Sequence, residues 1–280
     1  MKMHYMTLNR AFVVTCLAAT TFLFPIASPA HDFWLAPSTY QLAAPAEVPV
    51  SVMIGHPKDR LTWPVDPNRI VALRTVGPNG MSDQQSGVLA YDQDKTLPIG
   101  LDTLGLHILT IETTNAFSEL PASQFEDYLA EEGLTLIQLD RIQHGAEDKS
   151  GTELYSRRGK ALLQVGPVLP TDIIRLRRPV GLTLEIIALD HPQLWVEGEM
   201  LNAKVMFRGQ PLGGVTVGLV NTGPETDTMT HMKTDKDGTV SFAYPGSGTW
   251  MLHAVWGDRQ RVSDRADYNT IFSSLSFEVW

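Results

Sequence analysis

Hydrophobic and polar residues alternate along most of this chain with a period of two, the mark of β-strands with one buried face. Val48–Ile54 (VPVSVMI) is β-branched and stops at Gly55-His56-Pro57. Arg69–Val76 (RIVALRTV) ends at the turn Gly77-Pro78-Asn79-Gly80. Leu106–Thr113 (LHILTIET) sets His107, Leu109 and Ile111 on one face and Ile108 and Thr110 on the other. From Phe117 the period changes. Ser123 and Glu126 have capping-box spacing, Phe125, Tyr128 and Leu129 form an apolar stripe, and Gly133 closes that helix. A second helix is expected from Thr135 to His144-Gly145, with Ala146–Thr152 a loop and Ala161–Val165 a strand. Strand texture resumes at Leu182 (LTLEIIAL) and runs through Asn202–Phe207, Gly213–Val220, VSFAY, Trp250–Val255 and Leu275–Trp280. The expected fold is mainly β: two β-sandwich parts with a short helical insertion near 123–144, the C-terminal part immunoglobulin-like. The expected division is 1–30, 31–178 and 179–280.

The first segment is not part of that fold. Lys2 and Arg10 precede an apolar run from Ala11 to Ile26, and Ser28-Pro29-Ala30 supplies the small residues of a signal-peptidase site. Cleavage after Ala30 would leave His31 as a new N-terminus. The chain has a formal charge of −9, and loss of Lys2 and Arg10 makes the remainder more acidic. That balance argues against nucleic acid or an anionic membrane as partner. Cys16, the one cysteine, lies inside the leader, so thiolate sites and disulfides are excluded from the exported part. No later stretch has the ~20 apolar residues of a membrane span. A periplasmic protein, with no membrane insertion after cleavage, is the expectation.

Export changes the chemistry of His31. A terminal histidine offers its α-amine and its imidazole, which together close a chelate ring on a metal ion. His56, beside the permissive Gly55, is the first candidate for a further ligand; His107 and His253 are others. Met229 and His231 share a strand face, and such a pair suits copper(I), although a strand beside a hairpin turn explains them more simply. His144 reads as a helix C-terminal residue favoured by the dipole, and His191 as a linker. Asp235-Lys236-Asp237-Gly238 opens like a calcium loop, but its twelfth position is Gly246, so a turn is expected. Arg157, Arg158 and Lys160, with Arg175, Arg177 and Arg178, read as solvated strand faces or partners of the acidic helices. No G-x-S-x-G, H-E-x-x-H or P-loop occurs, and no enzyme is expected.

Four segments, HDFWLAPSTY, FEDYLAEEGL, ELYSRRGKALLQVG and SSLSFEV, resemble a family of exported bacterial proteins. That family carries a domain of unknown function and is associated with the periplasmic component of nickel or cobalt uptake (NikM-like). His31 and Trp34 match the family's mature start, and His56 matches a histidine after the corresponding strand. Many members carry a histidine in a late strand where this chain has Trp256; here the histidine stands at 253. The resemblance implies capture of a divalent transition metal, nickel or cobalt with copper as an alternative, for an inner-membrane transporter. The residues alone leave two other readings open: an interaction module binding a protein or glycan, and a copper oxygenase with a terminal histidine brace.

Overall fold

The computed structural model describes residues 1, 32–56, 59–94, 96–223, 228–261 and 264–280. The expected leader and His31 lie outside the described residues. The chain runs β1 (Phe33–Pro37), β2 (Gln41–Leu42), β3 (Ala46–Ile54), β4 (Leu61–Thr62), β5 (Ile70–Gly77), β6 (Gly80–Asp83), α1 (Gln85–Asp94), β7 (Leu97–Leu101), β8 (Gly105–Thr113) and β9 (Ala116–Leu120). Then come α2 (Ala122–Glu131), α3 (Thr135–Gln143), β10 (Gly151–Val165), α4 (Pro170–Leu176), β11 (Leu184–Ala188), β12 (Met200–Phe207) and β13 (Gln210–Pro211). β14 (Thr216–Asn221), β15 (Met229–Lys233), β16 (Thr239–Ala243), β17 (Gly248–Arg259) and β18 (Tyr268–Val279) complete it. The protein is mainly β.

A ten-stranded sheet, along which the order is β15-β14-β17-β18-β10-β8-β5-β6, forms the centre. β10 and β18 pair in parallel, from Glu153 opposite Tyr268 to Ala161 opposite Ser276. The halves expected on either side of residue 178 therefore share one sheet. Alternation then sorts its residues to two faces. On one face, Val217, Leu219, Leu252 and Ala254 pack with Leu184, Ile186, Leu201 and Val205 of the β11-β12-β16 sheet. This is the immunoglobulin-like sandwich. On the other face, Leu109, Ile111, Ala161 and Leu163 pack with Phe33, Leu35, Val50 and Ile99 of the β1-β3-β7 sheet. Helices α2 and α3 cover the far end of that same face, through Phe125, Leu129 and Ile137 against Val255 and Phe272.

Several sequence expectations change. The helical pair forms, but Pro121 caps α2 without a side-chain bond, so the Ser123–Glu126 capping box is not made. α1 and α4 add helices outside the insertion. β10 begins at Gly151, ten residues before the expected strand. Its basic residues are not solvated: Arg157 is 4% exposed, with its guanidinium over the rings of Tyr155, Phe33 and Phe272. Lys160 donates to Glu185 Oε1 and the Ile186 carbonyl, both at 2.9 Å. His191, read as a linker residue, is buried and leads into a 3-10 turn between β11 and β12. The Asp235 loop is the expected turn, Asp235 Oδ1 accepting from the amides of Asp237 and Thr239. His144 does cap α3. Among the described residues no helix is long and apolar enough to cross a membrane.

Candidate metal centre

Four segments converge on the face of the central sheet next to β1. Gly55 follows β3 at φ +110, a conformation that favours glycine, and its amide donates to the Asp32 carbonyl at 3.0 Å. This bond fixes Asp32 at the entry to β1. β1 itself is buried on both sides: Phe33 and Leu35 enter one core, and Trp34 packs on Val220 and Met251. Ser276 Oγ adds a 2.6 Å bond to the Leu35 carbonyl.

Opposite Asp32 stands His253 of β17. His253 Nδ1 lies 3.2 Å from Asp32 Oδ1 and 4.0 Å from Glu132 Oε2. Register explains its direction. His253 pairs with Gly218 across one strand boundary, and Gly218 pairs with His231 across the next. A Cβ on Gly218 would collide with the His253 ring, so the missing side chain leaves the room the imidazole fills. The His231 and His253 ring centroids are 6.1 Å apart, edge to face. Trp256, three residues beyond His253, points to the opposite face and stacks on Phe207 at 3.9 Å.

The acidic side of the cluster comes from the end of α2. Gly133, at φ +67, turns the chain after the helix and packs so closely on Thr216 that a side chain there would meet its hydroxyl. That contact docks Glu131 and Glu132 on β14. Glu131 Oε1 lies 3.7 Å from His56 Nε2, while Glu132 faces His253, so consecutive glutamates address two histidines. Two carboxylates at a helix C-terminus oppose the helix dipole, and the last turn of α2 carries no basic residue. Burial, then the charges of Asp32, Glu131 and Glu153, push the Glu132 carboxyl well above its ordinary 4.5. Partial burial and the neighbouring His253 lower His231 from 6.5, against the pull of Asp32 and Glu131. A neutral imidazole is the form that binds metal.

Two buried atoms of this cluster are without a hydrogen-bond partner among the described residues: Asp32 Oδ2 and His253 Nε2. Both belong to metal-ligating residue types. No group of three or more His, Cys, Asp or Glu among the described residues is arranged to hold an ion as it stands. The set therefore fits a cation only with a further donor.

Of the histidines singled out from the sequence, the structure brings His253 and His56 to the two sides of the α2 terminus. It sets His107 apart. β8 is three strands from β17, roughly 14 Å at a spacing of about 4.8 Å, and His107 Nε2 bonds the Thr103 carbonyl at 2.9 Å. Glu131 and Glu132 are contributors that pattern reading passed over. Their signal was present in FEDYLAEEG, as acids where a helix end disfavours them.

Among solved structures, the D0-D1 domain of intimin is similar over 87% of this chain and 96% of that one, at 12% identity and a TM-score of 0.20. Dimeric latent PorU from Porphyromonas gingivalis is similar over 89% of this chain and 20% of its own, at 10% identity and a TM-score of 0.21. Likenesses of this size bear on neither site nor function. No curated protein matches the chain. A family described as a domain of unknown function (DUF4198) matches residues 28–258, and the chain belongs to that family.

Proposed function

We propose that the protein captures a divalent transition-metal ion after export to the periplasm, at the corner formed by Asp32, His253 and the end of α2. One observation carries the reading: Asp32 and His253 meet at 3.2 Å while Oδ2 of one and Nε2 of the other are buried without partners among the described residues. Buried polar groups of these types are ordinarily satisfied; a cation beside Asp32 would engage its free oxygen, with His253 as the adjacent nitrogen donor. The gathering of three carboxyl groups, Asp32, Glu131 and Glu132, close enough that the charges of the first two help to raise the third, favours the same occupant.

The missing donors are the α-amine and imidazole of His31. Residue 31 precedes Asp32 directly, and one peptide link spans about 3.8 Å between Cα atoms. His31 would supply the chelate, His253 and Asp32 the remaining nitrogen and oxygen, and Glu132 the balancing charge. Nitrogen and oxygen donors suit Ni²⁺, Co²⁺, Cu²⁺ and Zn²⁺, with intrinsic affinity highest for copper. Uptake of nickel or cobalt, by delivery to an inner-membrane transporter, is the use that the sequence resemblance suggests.

Calorimetric titration tests the centre. Three proteins are compared with each of the four metals: one starting at His31, one with a single alanine added before it, and His253→Ala starting at His31. Tight one-to-one binding is expected in the first, weakened by orders of magnitude in both others. Equal, weak binding in all three overturns the proposal.

A further inference from the structure

Methionines form a second row beside the histidines. Met229 precedes His231 on β15 by two positions, and Met251 precedes His253 on β17 by the same step. Residues two apart on a strand share a face and lie ~7 Å apart. Val220 of β14 stands between Met229 and Met251 as Gly218 stands between the two histidines. Across the gap, Met53 of β3 pairs with Trp34. Trp34, Val220 and Met251 form one buried cluster, and Met53 and Met229 pack against it. Three thioether side chains from three strands of two sheets thus meet at one cluster, and the Met53 sulfur also accepts from the Thr62 hydroxyl at 4.0 Å.

Packing alone does not call for sulfur at all three positions, because leucine has nearly the same volume and loses less side-chain freedom on burial. Sulfur adds softness. Thioethers select copper(I), whereas imidazole and carboxylate serve the harder divalent ions. On β15 and β17 the chain places these two donor types in neighbouring positions of the same face. Met251 is 1% exposed, while Met53 and Met229 are half-buried, which leaves a way in from their side.

We infer that Met53, Met229 and Met251 form a thioether site for copper(I), distinct from the nitrogen and oxygen centre at His253. The site takes the monovalent ion as supplied, so no electron transfer is involved. It does not rest on the divalent centre, and the two can fail separately.

The test is anaerobic competition between the protein and bicinchoninate for copper(I), with wild type, the three single Met→Leu variants and the triple variant. One copper(I) is expected per wild-type chain. The triple variant should bind on the order of 100-fold more weakly, at least the upper end of what loss of a supporting group costs a metal site. Nickel and zinc titrations of the same variants should match wild type, and His253→Ala should keep its copper(I). Copper K-edge absorption of the wild-type complex gives a readout that needs no variant: sulfur scatterers are expected in the first shell. A shell of nitrogen and oxygen alone, or copper(I) affinity unchanged in the triple variant, overturns the inference, as does a wild type that cannot compete with the chelator.

Discussion

Lys160 and Glu185 meet between the central sheet and β11 with both ends bonded. The ammonium donates to Glu185 and to the Ile186 carbonyl, and the carboxylate also accepts from the amides of Val180, Gly181 and Leu182. At the Asp32 corner the balance is reversed. Asp32, Glu131 and Glu132 crowd together, and Asp32 Oδ2 and His253 Nε2 are without partners among the described residues. Asp32 and Glu132 are buried as Lys160 and Glu185 are, yet one group is closed and the other is open. A closed group of charges holds the two halves of a fold in register. An open one of a single sign stores a binding free energy for whatever neutralises it.

The sharpest way to break this comparison is Glu185→Ala. It leaves the Lys160 ammonium buried without its counter-ion and should destabilise the fold by about 3–5 kcal/mol. Urea unfolding measures the loss, and divalent affinity of the folded fraction should not change. Gly218→Ala acts at the open corner instead. Its new methyl group displaces the His253 ring, for an overpacking cost of about 1–3 kcal/mol, together with a fall in divalent affinity that calorimetry reads. An affinity equal to wild type would separate His253 from the ion.

A smaller effect is a slope with pH. The folded Glu132 carboxyl is raised above 4.5, so the native state holds this proton where the unfolded chain has released it. Stability of the metal-free protein then falls as pH rises from about 4.5 through the folded value, because the unfolded state binds fewer protons there. Glu132→Gln should remove that part of the fall, seen as a urea midpoint that changes less between acid and neutral pH. The smallest expected change is at His107. His107→Gln disturbs one bond to Thr103, a matter of about 1 kcal/mol, and should leave divalent binding as in wild type. Weakened binding would place the ion somewhere other than the α2 terminus.

Much of the fold was legible because its strands alternate. β8 and β17 show their buried faces directly in LHILTIET and WMLHAV, and the turn at Asp235 announces itself by residue type. β10 did not, because its charged residues satisfy themselves inside the protein: Arg157 on aromatic rings, Lys160 on Glu185. Charge in a strand reads as solvent exposure until the partners are known. The centre was legible as residue types and not as geometry. His253 and Trp256 are near in sequence, but only register decides that one faces Asp32 and the other Phe207. The glutamates at the end of α2 were hidden for a different reason. Helix reading looks for stabilising caps, and these two acids work against their helix.

The hydroxyl of Ser276 reaches the carbonyl of Leu35 across 241 positions of sequence. A contact of such separation requires the closure of a long loop. Asp32 leads into β1, and His253 lies on β17, the antiparallel partner of β18. The corner therefore exists only when the strands on both sides have been delivered and aligned. A chain that is still incomplete or unfolded has neither the open charge group nor the grip on β1. On the proposed reading, occupancy by an ion is a report that folding is finished, and the ion, once seated, ties the first strand to the last pair.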